Sequence, residues 1–125
     1  MKVQVNRWIT QYIKENANKS ENEVYGWLIG FEDQRRQIIV QSALLCTRYA
    51  SQTVVEATPD PREIQEITRS IPNGLYIVGI FHTHPGSVFH SHVDNQTLQN
   101  LAKHNPKMLS AVTNGKETKW YQLQQ

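Results

Sequence analysis

Between Phe81 and Asp94 the chain reads FHTHPGSVFHSHVD, and this stretch holds four of the five histidines. His82 and His84 flank Thr83, and on an extended backbone two residues so spaced project to the same side. Asp94 follows after Pro85-Gly86, a turn-forming pair, and a short loop. Two neutral imidazoles and one carboxylate suit zinc, and three protein ligands leave a fourth position for water, as in catalytic sites. The spacing therefore predicts one zinc ion held by His82, His84 and Asp94.

The neighbouring residues admit plainer explanations. Ser91-His92-Val93-Asp94 is also a capping box, in which Ser91 would satisfy the first amides of a helix and Asp94 would sit at its third position. With the histidines upstream, the ligand role for Asp94 is preferred, with Ser91 capping in part. His90 and His92 bracket Ser91 and read as solvated loop histidines. His104 ends a helix, where its charge suits the dipole. A metal hydrolase also needs a carboxylate to move the proton of its water. Glu21 and Glu23 share a parity, and spacing alone does not choose between them.

These residues need a scaffold. Val3 and Val5 suit a short edge strand. Asn6 would cap a helix with Trp8, Ile9, Tyr12 and Ile13 on its apolar stripe, and residues 16–22 read as a loop. Glu23 to Phe31 is a strand whose Gly26 and Gly30 mark close approach by another backbone. Residues 37–45 return as its hairpin partner, and residues 48–58 are ambiguous. Asp60-Pro61-Arg62-Glu63 starts a helix, with an aspartate cap, proline first and glutamate third. Ile64, Ile67 and Ile71 form its buried stripe. Leu75 to Phe81 is apolar on both parities, as in a central strand covered on both faces, and the metal stretch leaves its carboxyl end. A helix over about 92–104 turns Val93, Leu98, Leu101 and Ala102 inward. Met108–Thr113 and Thr118–Leu123 form a hairpin through Asn114-Gly115. The order predicts a single α+β domain over residues 1–125, a mixed α/β sandwich with a central sheet flanked by helices.

Composition removes other classes. The 125 residues are 38% hydrophobic, and 13 basic against 11 acidic residues leave a net charge of +2. That is too little for nucleic acid, and no basic cluster occurs. The longest apolar run is too short to span a bilayer, and the amino terminus lacks a signal-peptide core. Cys46 alone excludes an internal disulfide and suits a reducing compartment. A cytoplasmic protein without nucleic-acid or membrane partners is expected.

Taken together, Glu23 with Gly26 and Gly30, then His82-Thr83-His84-Pro85 and Ser91-x-x-Asp94, resemble the JAMM motif of MPN-domain zinc metalloproteases. The closest similarity is to proteasome-lid-type deubiquitinases and their minimal prokaryotic relatives. The resemblance covers nearly the whole chain and implies the MPN, cytidine-deaminase-like fold. It implies an isopeptidase that removes ubiquitin or a ubiquitin-like modifier from lysine, with one zinc ion on His82, His84 and Asp94. It implies Glu23 as general base and Ser91 as donor to the oxyanion. Five residues separate Pro85 from Ser91, one fewer than the family's commonest spacing, which keeps Ser87 as an alternative. By the same analogy, residues 52–57 form an edge for the modifier's extended tail. Val54, Val55, Val88 and Phe89 would contact the modifier or pack on the core. Other readings consistent with the motif are a zinc amidohydrolase that processes a linear peptide or sulfur-carrier tail, and a non-catalytic scaffold subunit. A proteasome-like host assembly stays open. No second metal cluster is expected.

Overall fold

The computed structural model describes residues 3–54, 57–84, 88, 91–103 and 105–122. Six strands form one mixed sheet, in the order β1-β3-β2-β6-β7-β8. These are β1 (Val3–Val5), β2 (Tyr25–Glu32), β3 (Ile38–Leu45), β6 (Tyr76–Thr83), β7 (Leu109–Thr113) and β8 (Thr118–Gln122). A separate two-stranded hairpin is made by β4 (Tyr49–Gln52) and β5 (Ala57–Pro59), and it resolves the ambiguous stretch. Three helices complete the order: α1 (Arg7–Lys19), α2 (Pro61–Ser70) and α3 (His92–Ala102). The expected α+β sandwich is what forms.

Each face of the sheet has its own core, because β2 and β6 are apolar on both parities. Ile9 and Ile13 of α1 pack with Leu28, Val40, Val78, Phe81 and Leu109 on one face. On the other, Trp27, Ile29 and Ile80 meet Ile64, Ile67 and Ile71 at α2, and Leu101 of α3. The α2 isoleucines are half-buried, and Glu63 is that helix's buried residue. Among the described residues, no helix is long and apolar enough to cross a membrane.

Strand β6 lies between β2, antiparallel, and β7, parallel. The β6–α3–β7 crossover brings the start of α3 back to the carboxyl end of β6. That end of a parallel pair is where α/β sheets hold ligands. The β2–β6 register shifts between Leu28 and Ile29, so Ile77 and Ile80 both join the α2/α3 core. A bulge re-aims the side chains beyond it. Here it turns His82, two residues past Ile80, toward α3.

Glycine serves close packing. A Cβ on Gly26 would run into the Phe81 ring, and one on Gly30 into the Ile39 carbonyl.

Several local expectations change. Helix α1 runs on through residues 16–19, where Asn16 Nδ2 donates to the Tyr12 carbonyl and Asn18 Nδ2 to the Gly115 carbonyl; these contacts override weak propensity. Trp8 is half exposed, one position off the buried face. Glu63 does not close a capping box: Asp60 alone caps α2 by accepting from the Arg62 amide, and Glu63 turns inward. Val93 is not inward but 67% exposed, because α3 buries the side bearing Leu98. The β7–β8 turn spans residues 114–117, with Asn114 Oδ1 accepting the Lys116 and Glu117 amides.

Candidate metal centre

His82 is the penultimate residue of β6, facing Tyr25 of β2 and Val112 of β7 in the sheet. His84 lies one residue beyond the strand, and its amide donates to the Thr113 carbonyl at 2.9 Å. That bond extends the β6 register far enough to keep the second imidazole beside the first. The two ring centroids are 4.9 Å apart.

Asp94 arrives from the first turn of α3. Its Oδ1 is 3.1 Å from His82 Nε2 and its Oδ2 is 3.1 Å from His84 Nε2. Helix capping fixes the carboxylate: the Ser91 amide donates to Asp94 Oδ2 at 2.9 Å, and the Asp94 amide donates to Ser91 Oγ at 3.1 Å. The capping box and the ligand geometry therefore coexist in one pair of residues. Hydrogen bonds of this kind orient metal-binding carboxylates. Burial works against the ionised form of Asp94. The hydrogen bond and charge of His82 and the Ser91 amide outweigh it, and the carboxyl sits well below the usual carboxylate range. Burial, with the charges of Cys46 and Asp94 adding to it, pushes the neighbouring Tyr25 phenol above its ordinary value.

The donor set fits zinc. One donor atom from each of His82, His84 and Asp94 lies within 4.8 Å of the others. Ligand bonds of about 2.0–2.1 Å at the tetrahedral angle place donors roughly 3.3 Å apart, and Asp94 holds one oxygen near that spacing from each imidazole, Oδ1 from His82 and Oδ2 from His84. Two imidazole nitrogens and a carboxylate oxygen are also the ligand types zinc accepts.

Glu23 and Glu21 separate cleanly. Glu23 is 8% exposed, and its Oε1 is 3.9 Å from His84 Nε2; Glu21 is exposed to solvent. Glu23 stands just ahead of β2 rather than within it. Its amide donates to the Thr53 carbonyl at 2.8 Å, and Gln52 Nε2 donates to its carbonyl at 3.1 Å. Next to it, the Val24 amide donates to Thr83 Oγ1 at 2.8 Å, and the Thr83 amide to the Val24 carbonyl at 3.0 Å. Thr83 thus ties the start of β2 to the end of β6 and sets the distance from Glu23 to the imidazoles. The sequence reading passed over it. A hydroxyl at the end of an otherwise apolar, two-faced strand was the available signal, since such a buried group needs a partner.

The four residues named for substrate contact diverge. Val54 is 56% exposed beside the site. Val88 is 2% exposed, with its carbonyl accepting from the Tyr121 hydroxyl. It packs inside, the core alternative of its expectation. Val55 and Phe89 lie outside the described residues, as do Pro85, Gly86, Ser87, His90 and His104. His92 opens α3 and is exposed.

No curated protein matches the chain. The model of a family described as prokaryotic homologs of the JAB domain matches residues 5–123. That span contains the whole sheet but for β1's first residues, all three helices, and every residue of the His-His-Asp group with Glu23 and Ser91. By that match over nearly its full length, the chain belongs to the prokaryotic homologs of the JAB domain.

Proposed function

We propose that the protein is a zinc-dependent isopeptidase that hydrolyses the bond between the carboxyl terminus of ubiquitin, or a ubiquitin-like protein, and a lysine side chain, acting in the cytoplasm. The family includes zinc isopeptidases and also non-catalytic members. What supports the catalytic reading most is the placement of Glu23: a buried carboxylate 3.9 Å from His84 Nε2, at the edge of a convergent His-His-Asp group. A scaffold role would not need it.

His82, His84 and Asp94 would hold the ion. Bound there, zinc supplies Lewis acidity toward the scissile carbonyl and lowers the pKa of a coordinated water to about 7. Glu23 accepts a proton at Oε1 and returns it to the amine as the C–N bond breaks. Ser91 Oγ accepts the Asp94 amide, and its own hydrogen remains to donate to the developing oxyanion. The β4–β5 hairpin is bonded to the Glu23 backbone through Thr53 and Gln52. An extended modifier tail added to that hairpin would pass beside the catalytic carboxylate, with Val54 at its flank.

The test compares three substrates, with and without a chelator: a modifier–lysine isopeptide conjugate, the same modifier as a linear fusion, and free dipeptides. Chelator-sensitive cleavage of the isopeptide conjugate, restored by zinc, is expected. Preference for the linear fusion would point instead to peptide-tail processing. A zinc-bound protein that cleaves none of them would contradict the reading and leave a scaffold.

A further inference from the structure

A cleft of about 110 Å³ opens on one side of the metal centre. Glu23 and His84 form its inner wall, and Ser20, Glu21, Asn22 and Asn114 are among the residues that line the rest. His82 and Asp94 do not reach it, so the cleft belongs to the Glu23 side of the site. Among the described residues, no lysine or arginine lines it.

Its walls are fixed in advance. Ser20 Oγ donates to the Asn22 carbonyl at 2.9 Å and accepts the Asn22 amide at 3.2 Å, which locks the turn carrying Glu21. Asn114 is held through its side chain by the Lys116 and Glu117 amides. On this rigid rim Glu21 presents an exposed carboxylate. Among the described residues it has no ion-pair partner.

We infer that this cleft receives the amine half of the substrate, and that Glu21 recognises the lysine nitrogen there. The inference rests on the isopeptidase reading and on the position of its proton carrier. Hydrolysis adds hydroxide to the carbonyl carbon and a proton to nitrogen as the C–N bond breaks. One carboxylate performs both proton transfers, so the departing nitrogen must lie on the side of Glu23, which is the side on which the cleft opens. The nitrogen enters as a neutral amide and leaves as an amine that takes a further proton from water near neutral pH. A carboxylate at the rim favours that cation, and no cation among the described residues pairs with it. Val54 also lines the cleft, so the modifier tail on the β4–β5 hairpin would meet it there, and the Glu21 rim is left to the lysine.

The experiment follows binding separately from turnover. The zinc-loaded protein is titrated with Nα-acetyl-lysine methylamide and with the norleucine analogue, which keeps the aliphatic stem and lacks the ammonium group. The backbone amide signals are followed by NMR. The lysine compound should shift Glu21, Asn22 and Asn114 saturably, and the norleucine compound should bind more weakly. Glu21→Gln should reduce affinity for the lysine compound by about fivefold, the size of one partly exposed ion pair. In turnover of the isopeptide conjugate, whose nitrogen is still an uncharged amide, Glu21→Gln should weaken inhibition by the lysine product by the same fivefold and leave KM nearly unchanged. Equal binding of the two analogues, undiminished binding by Glu21→Gln, or shifts confined to residues outside the cleft would overturn the assignment. A wild-type protein that binds lysine in the cleft but cleaves nothing would overturn the isopeptidase reading and leave the cleft assignment standing. An active protein whose inhibition by the lysine product is indifferent to Glu21→Gln would do the reverse.

Discussion

Ser91 and Asp94 are each engaged twice, and the two uses make different demands. The Ser91 hydroxyl accepts the Asp94 amide and retains a proton to give away. Ser91→Ala should therefore lower helix stability by about 1 kcal/mol through the lost cap. It should also slow turnover by roughly 10²–10³ through the lost oxyanion donor, with zinc content unchanged. Thermal melting and single-turnover rates read the two losses separately. At Asp94, asparagine preserves an oxygen that can accept the Ser91 amide but removes the charge. Asp94→Asn should melt near the wild type while its zinc affinity falls, whereas Asp94→Ala should lose both; calorimetric titration with zinc decides it. The motif residues were legible because ligand types at fixed spacing carry their chemistry with them. The choice of Glu23 over Glu21 was not legible, since both have the same parity. Burial and the 3.9 Å approach to His84 separate them, and both follow from long-range bonds to Thr53 and Thr83.

The elements place those residues through bonds that local sequence does not announce. Thr83 Oγ1 accepts the Val24 amide from a residue 59 positions away. Thr83→Val keeps the shape, leaves that buried amide without its partner, and should cost about 1–3 kcal/mol. If Thr83 positions Glu23, kcat should fall while zinc stays bound; an unchanged kcat in the folded variant would make Thr83 merely structural. Helix α2 has a comparable tie. Glu63 accepts from the Thr47 amide at 3.0 Å, the Thr47 hydroxyl at 2.8 Å and the Arg48 amide at 3.0 Å, and Cys46 Sγ lies 3.2 Å away. Burial opposes its ionised form, but these donors prevail and hold its pKa below the ordinary glutamate value of 4.5. A carboxyl depressed on folding adds stability above its unfolded pKa and loses it as pH falls through the folded one. The wild-type melting temperature should thus drop progressively below about pH 4.5, and Glu63→Gln should flatten that slope while lowering stability at neutral pH. Parallel slopes would remove Glu63 as a source of the acid sensitivity. The sequence placed Glu63 in a capping box because local chemistry favours it there. A tertiary partner outbid the local one.

At the scale of the molecule, two cores grip one sheet, and both parities of β6 are spent on packing before the strand reaches its histidines. An apolar run on both parities, without alternation, showed the buried central strand, and the element order followed from capping signals at Asp60 and Ser91. The bulge between Leu28 and Ile29 had no such signal, although it decides which face of the sheet His82 takes. The exposed Val93 was missed for a related reason: α3 is weakly amphipathic, so its buried face is chosen by docking rather than by pattern. Cys46 lies within the second core. Burial first, then its hydrogen bond to Glu63, push the thiol up to about 12. Because the thiolate is the reactive form, iodoacetamide should leave Cys46 unmodified in the native protein and label it fully once unfolded. Rapid native labelling would show that this core opens.

The convergence of His82, His84 and Asp94 on one ion, with Glu23 beside it but not bound to it, is the claim on which the chemistry stands. Zinc content per folded chain tests it most directly, measured by elemental analysis on the wild type, Glu23→Gln and His84→Ala after dialysis. One zinc in the wild type, one in Glu23→Gln and none in His84→Ala is the expected result. A wild type without zinc, a His84→Ala variant that keeps it, or a Glu23→Gln variant that loses it would contradict the account.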